Sequence, residues 1–409
     1  MIEIDIAGLD VETKRQAASA GTREASNYLI IGDFGSSAEG IKPIDRDTLD
    51  GVLDIMGVQL AGVPIREIED FHPDRLYQRL ELFDDLREFE RKIDPSPEPS
   101  PRRPEMEEIL QSSSLLDQIV EGPAAKTEPF EQFLSDLSRA YAAPAAAANP
   151  QRVETLNRRM RALLHERQFQ ALEAVWRGIE FVLRRIDDES ARIYMAQFSR
   201  EDLTADLAES RDLKSTRLHF LLGAREWRGV FGLYTFSASA ADIELLGRTA
   251  LLAANAHAPF VSEGSVDMGQ YWEELRSVPE AAYLGLAMPR LLLRQPYGAR
   301  TSAIESFEFE EMPGLPTHDD YLWGNPALAC LAIAAGEDAG NPELSGLPLH
   351  TYHEEGEWKS TPCAEALISE SEVQALIELG MIPLVSYRGS DRVNVAGLRA
   401  INGSPLPFR

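Results

Sequence analysis

The chain has 409 residues, more than one hydrophobic core normally organises, so two or three domains are expected. Lys and Arg number 40 against 67 Asp and Glu, a formal net charge of -27 that repels phosphate backbones, argues against nucleic-acid binding and favours a basic surface on a partner. Hydrophobic residues make up 44%, no apolar run is long and charge-free enough to cross a bilayer, and the start MIEIDIAGLDVETKRQ lacks the order of a secretory signal. With only two cysteines, Cys330 and Cys363, a soluble cytoplasmic protein without a disulfide framework is expected.

Residues 1–26 show no sustained period and read as a mobile N-terminal arm. Tyr28 to Ile31 is a short apolar run closed by Gly32-Asp33-Phe34-Gly35-Ser36, which predicts a buried strand entering a turn. The lysine and hydroxyl of a P-loop are missing there. Asp45 to Leu60 predicts a short helix, with a strand at Ile65 to Ile68. Pro73 then opens an amphipathic helix ending near Lys92, with Leu76, Leu80, Phe83, Leu86 and Phe89 on its apolar positions. Residues 94–106, beginning DPSPEPSPRRP, cannot continue a helix and read as a linker between domains. Helices are predicted over Glu105 to Val120 and Phe130 to Tyr141, with AAPAAAANP as a second linker and Asn149-Pro150 starting the next helix.

The chain is organised around the stretch Phe169 to Ile186. Leu172, Trp176, Ile179, Leu183 and Ile186 recur in steps of four and three, so they form one buried helical face. Glu173 and Arg177 are four apart and predict a pair along the surface. Gly178 is unfavourable inside a helix by about 1 kcal/mol against alanine, which predicts a place where another backbone packs close. Ala191 to Ala196 alternates as an edge strand would, Val230 to Tyr234 reads as a second strand, and Asp242 to His257 returns to a helix. This alternation predicts an α/β, mixed α+β, fold.

QALEAVWRGIEFVL resembles the signature of the large contractile-sheath subunit of type VI secretion systems. So do the later phrases His257-Ala-Pro-Phe260, Pro289-Arg290 through Arg294-Gln-Pro-Tyr-Gly298, Phe307-Glu-Phe-Glu310-Glu311 and Leu322-Trp323-Gly-Asn325, with a looser match to about Gly397. Tyr28 through Asp33-Phe34, Ile44-Asp-Arg-Asp47 and Asp70-Phe-His-Pro73 resemble the small subunit in the same order. The resemblance implies a TssB-like unit at 27–93 fused to a TssC-like body at 107–409, in a contractile tail-sheath-like fold with the small unit packed on the body. It further implies a structural, non-catalytic role, with other sheath or baseplate proteins and the inner tube as partners, possible self-association, no cofactor and no membrane. Core or interface roles fall to Trp176, Arg177, Gly178, Arg290, Arg294, Glu310, Glu311, Trp323 and Asn325. The family's large subunits run on past the point matching Gly397, whereas this chain ends in an irregular tail at Arg409, so a sheath-like accessory that does not polymerise is the alternative.

Enzyme chemistry is the competing class. Arg290 and Arg294 with Glu310 and Glu311 could form a catalytic cluster, but arginine forks also hold buried carboxylates in fixed geometry. His257 lacks a nearby nucleophile motif and suits a helix end. His350 and His353 before Glu354 and Glu355 do not match a complete metal motif and predict a solvated loop. Cys330 reads as core. Arg158, Arg159, Arg161 and Arg167 are candidates for a basic patch that meets acid on a neighbour.

Overall fold

The computed structural model describes residues 25–93, 128–140, 149–186, 189–208, 210–237, 239–265, 269, 271–336 and 342–408. The predicted N-terminal arm, the linker at 94–106, the helix over residues 105–120 and the alanine-rich linker at 141–148 lie outside these, apart from the last residues of the arm.

Strands and helices alternate along the chain, and the sheet they build is mainly parallel. Its strands are Ser26–Gly32 (β1), Ile41–Ile44 (β2), Ala191–Gln197 (β3), Gly229–Phe236 (β4), Phe260–Gly264 (β5), Leu284–Met288 (β6), Glu343–Leu344 (β7), Met381–Ser386 (β10) and Val393–Val395 (β11). Between β7 and β10 the chain forms a separate two-stranded hairpin, His350–Glu354 (β8) and Glu357–Thr361 (β9). The order across the nine-stranded sheet is β7-β11-β10-β6-β5-β4-β1-β3-β2. From β3 to β10 all neighbours run parallel, and the flanking pairs are antiparallel.

β1 lies inside the sheet, third from the β2 edge. Ser26 to Gly32 pair with Ala191 to Gln197 on one side, and Tyr28 to Ile31 pair with Gly229 to Gly232 on the other. A strand with covered faces on both sides needs an unbroken apolar run, which Tyr-Leu-Ile-Ile supplies. Tyr28 and Ile30 enter one core, Leu29 and Ile31 the other.

The first core lies under Leu49–Met56 (α1), Pro73–Arg79 (α2), Asp84–Ile93 (α3), Glu128–Ala140 (α4), Asn149–Leu164 (α5) and Arg167–Leu183 (α6). The second lies under Arg200–Ala208 (α7), Arg217–Gly223 (α8), Ala240–Asn255 (α9) and Trp272–Ser277 (α10), while Ala327–Ala335 (α11) joins the first and Glu370–Leu379 (α12) the second. Helices on both faces of a parallel sheet bear out the α/β expectation.

Several local expectations are corrected. Ala191 to Ala196 is not an edge: β3 is flanked by β1 and β2, and only Arg192 among its residues is exposed, so the apparent alternation came from one arginine. The helix expected from Pro73 to Lys92 breaks at Leu80, which is extended at φ -81 and ψ 133, and resumes through a 3-10 turn at Glu81–Phe83. Beyond the break, Leu82 and Phe83 are both buried. No strand forms at Ile65 to Ile68. Asp50 and Asp70 carboxylates accept the Ile68 and Arg66 N–H groups, replacing ladder bonds with side-chain ones.

The tail after Gly397 is irregular but packed. Leu406 and Phe408 lie on the sheet face opened by Gly285 and Gly229, and the Phe408 ring stacks on Phe231 at 6.3 Å. A Cβ at either glycine would press on these side chains.

Candidate functional site

α6 carries the densest set of unusual side chains. Its N-terminus is capped by Glu166, whose carboxylate accepts the Phe169 N–H at 2.8 Å. Trp176 is fully buried against the ring of Phe34, and its indole N–H donates to the Phe34 carbonyl at 3.1 Å. The turn after β1 is thereby tied to the helix, with Gly35 at φ +68 and Asp33 accepting its N–H. Gly178 faces α11. A Cβ there would overlap Leu328 Cδ1, so the close neighbour is a leucine side chain and not a backbone.

Glu173 does not lie on the surface. Its side chain is fully buried, with Oε1 accepting from Arg177 Nε at 2.6 Å and from Arg294 Nε at 2.9 Å. Arg294 reaches onward to Glu311, also fully buried, through Nη1 to Oε2 at 2.7 Å and Nη2 to Oε1 at 3.1 Å. The Tyr297 N–H donates to the same Glu311 at 2.7 Å, and Arg177 Nη2 donates to the Tyr297 hydroxyl at 2.9 Å. His165 completes the chain between Glu311 and Asp320, at 3.3 and 3.2 Å. Two buried carboxylates thus meet two guanidinium forks, the pairing that removes the cost of burying either alone. Burial opposes ionisation of Arg294, but Glu173 and Glu311 outweigh it and hold the guanidinium charged.

Arg290 and Glu310 stand outside this network, which corrects the single cluster suggested by spacing. The backbone between Arg290 and Arg294 is not helical, with a short strand at Leu291–Leu292, so a spacing of four does not set them side by side as it would on a helix. Arg290 forks onto Glu365, whose other contact is His318 Nε2 at 2.9 Å. Glu310 accepts the Ala299 N–H and offers its carbonyl to Arg161. Trp323 is buried, stacks on His318 at 5.4 Å and donates to its carbonyl. Asn325 donates to the Tyr234 carbonyl at 3.0 Å and to Glu263 at 3.4 Å, while its own oxygen accepts the Ala327 N–H at the start of α11.

These groups line two clefts. One, of about 370 Å³, has His165, Arg167, Gln170, Arg290, Asp319 and Trp323 on its walls. The other, of about 390 Å³, is walled by Glu69, His72, Arg177, Arg294 and Tyr297.

Glu263, at the end of β5, was not singled out by the sequence. Burial pushes its carboxyl up to about 7, against the pull of Arg290 and the Thr235 hydroxyl. A carboxyl whose folded pKa is raised stabilises the fold below its unfolded value and loses that contribution as pH rises through about 7. Glu263→Gln is therefore expected to raise the melting temperature at pH 8.5 and to leave it nearly unchanged at pH 5. An equal shift at both pH values in a thermal scan would contradict this.

The remaining candidates separate in space. Arg159 is buried, with its fork on Asp85 at 2.6 and 2.9 Å and on the Leu82 carbonyl, so it belongs to the interior and not to a basic patch. Arg158 pairs with Glu154 on the surface, and Arg167 is exposed at the first cleft. His350 and His353 lie on β8 and not in a loop. Three residues apart on a strand, they face opposite sides and cannot share an ion. His257 is exposed at φ +52 just past α9, with Nδ1 3.4 Å from the Tyr283 hydroxyl. Cys330 and Cys363 are buried, their thiols pushed up by burial to about 12 and about 11, which keeps both protonated. Among the described residues no group of three or more His, Cys, Asp or Glu could hold a metal ion. No described helix is long and apolar enough to cross a membrane. The chemistry this arrangement performs is mutual neutralisation of charge across distant segments.

The VipB family, described as EvpB/VC_A0108, tail sheath N-terminal domain, matches residues 152–270 and 265–402. The chain belongs to this tail-sheath family. The matched region holds α6, the Arg294 network and most of the sheet. The type VI secretion system sheath protein TssC1 of Pseudomonas aeruginosa is 28% identical over 295 residues, covering 60% of this chain and 59% of that protein. The chain thus spans less than two thirds of the length of this curated relative. The large sheet flanked by helices is consistent with a sheath-like fold.

Proposed function

We propose that the chain is a structural component of a type VI secretion contractile sheath, working through protein contacts and not through catalysis. Residues 27–93 act in this reading as a small-subunit-like, TssB-like segment fused to a TssC-like body at 107–409. The observation that carries the fusion is β1. This strand, from the segment that precedes the family match, lies inside the sheet with a parallel strand of the matched region paired on each side of it. Trp176 on Phe34, Phe169 on Phe71 and Arg159 on Asp85 add side-chain ties between the segment and the body. The partners are other sheath or baseplate proteins and the inner tube, in the cytoplasm, with no nucleic acid, membrane or cofactor involved.

Electron microscopy of the purified chain, alone and mixed with the neighbouring secretion components, tests this reading. Hollow helical tubes are expected in the mixture. Discrete particles under both conditions would replace the polymerising protomer with an accessory at the baseplate or tube end.

A further inference from the structure

The β8–β9 hairpin stands apart from the nine-stranded sheet and pairs only with itself. Its base is fixed to the body, because the Tyr321 hydroxyl lies 2.7 Å from His350 Nδ1 and 2.6 Å from Thr361 Oγ1. Four of the five tryptophans, Trp176, Trp227, Trp272 and Trp323, are at most 9% exposed, whereas Trp358 on this hairpin is 65% exposed. Its ring is nevertheless positioned. Cross-strand His353 meets it edge-on at 5.6 Å, and the Arg300 guanidinium lies 5.9 Å from its centroid. An exposed tryptophan already held in place loses little freedom on contact, which is the property of an interface anchor.

The charges around it select the partner. Glu354 is paired with Lys359, but Glu355 and Glu357 are exposed and form no ion pair among the described residues. Glu355 also occupies the first position of the two-residue turn at φ +52, with Gly356 at φ +88. Asn, Asp or Gly is favoured where both turn residues have positive φ, so glutamate there is a strained choice. We infer that the hairpin is a docking element for a basic surface on another protein, with Trp358 as the apolar anchor and Glu355 and Glu357 as the charged rim. The inference does not depend on the sheath reading. A second copy of this chain is disfavoured as occupant because its net charge is -27.

The full chain, titrated at low salt with a synthetic peptide of alternating lysine and leucine, provides the test. Trp358→Ala is expected to weaken binding tenfold or more and to abolish the blue shift that peptide causes in the wild-type emission. Glu355→Asn is expected to raise the melting temperature while weakening binding severalfold and flattening its salt dependence, a split that a purely structural turn would not give. Glu274→Gln on α10 serves as a control for general charge and should bind as wild type. Circular dichroism checks that each variant is folded, and Glu355→Asn keeps the test open should Trp358→Ala fail to fold. Unchanged affinity in both hairpin variants, or equal losses in the Glu274→Gln control, overturns the proposal. Concentration-dependent self-association in sedimentation that disappears with Trp358→Ala would overturn it as well, in favour of a second copy.

Discussion

Arg294→Met is expected to lower stability by about 3–5 kcal/mol, because it removes the fork that neutralises two fully buried carboxylates. Arg177 would still face Glu173, but Glu311 would keep only His165 and the Tyr297 N–H. Burial pushes the Glu311 carboxyl up, and Arg294 together with those two groups overcomes it and holds the pKa at about 2. A depressed carboxylate pKa contributes stability that is fully present above the unfolded value of about 4.5 and is lost as pH falls towards 2. The wild-type protein should therefore lose stability through that window, and the variant should show a shallower acid slope. Urea denaturation at pH 7 and across pH 5 to 2 measures both effects. A loss below about 1 kcal/mol at pH 7 would mean that the network is solvated. Replacing Arg294 and Glu311 together by apolar residues of similar size should recover much of the loss, since Glu173 keeps Arg177 and no buried carboxylate is then left without a cation.

Trp176→Ala should cost about 3–5 kcal/mol from the emptied volume alone. It also leaves the Phe34 carbonyl without its donor, in a position that water does not reach readily. Trp176→Phe separates the two contributions. It keeps most of the ring and loses the N–H, so a penalty of about 1–3 kcal/mol would assign that share to the hydrogen bond. Chemical denaturation followed by far-UV circular dichroism distinguishes the variants. If Trp176→Ala and Trp176→Phe were equally mild, the indole would have no part in joining the turn after β1 to α6.

Distance along the chain decides which features were legible in the sequence. The apolar stripe of α6, the run Tyr28 to Ile31 and the helix after Ser239 could be read because their signals are local and periodic. Glu173 looked like half of a surface pair because Arg177 is four residues away, whereas its second partner, Arg294, is 121 residues away. Spacing has no means of expressing such a partner. Arg159 was misplaced for the same reason, its Asp85 lying on another helix. Glu263 gave no signal at all, since one carboxylate at a strand end becomes unusual only when Arg290, Thr235 and Asn325 close around it. The hairpin was hidden because alternating polar residues and two histidines resemble a solvated loop.

The interior position of β1 has a consequence for the way the chain is made. Ser26 must wait for Ala191, and Tyr28 for Gly229, before either edge of the strand is paired. At about 5–20 residues per second, synthesis leaves an apolar strand with two open edges on the ribosome for roughly eight to thirty-three seconds. Such a segment is open to pairing with strands of other nascent chains, and its native partners carry a high loop-closure cost. Production in cells should thus depend more on chaperone capacity than the finished protein's stability suggests.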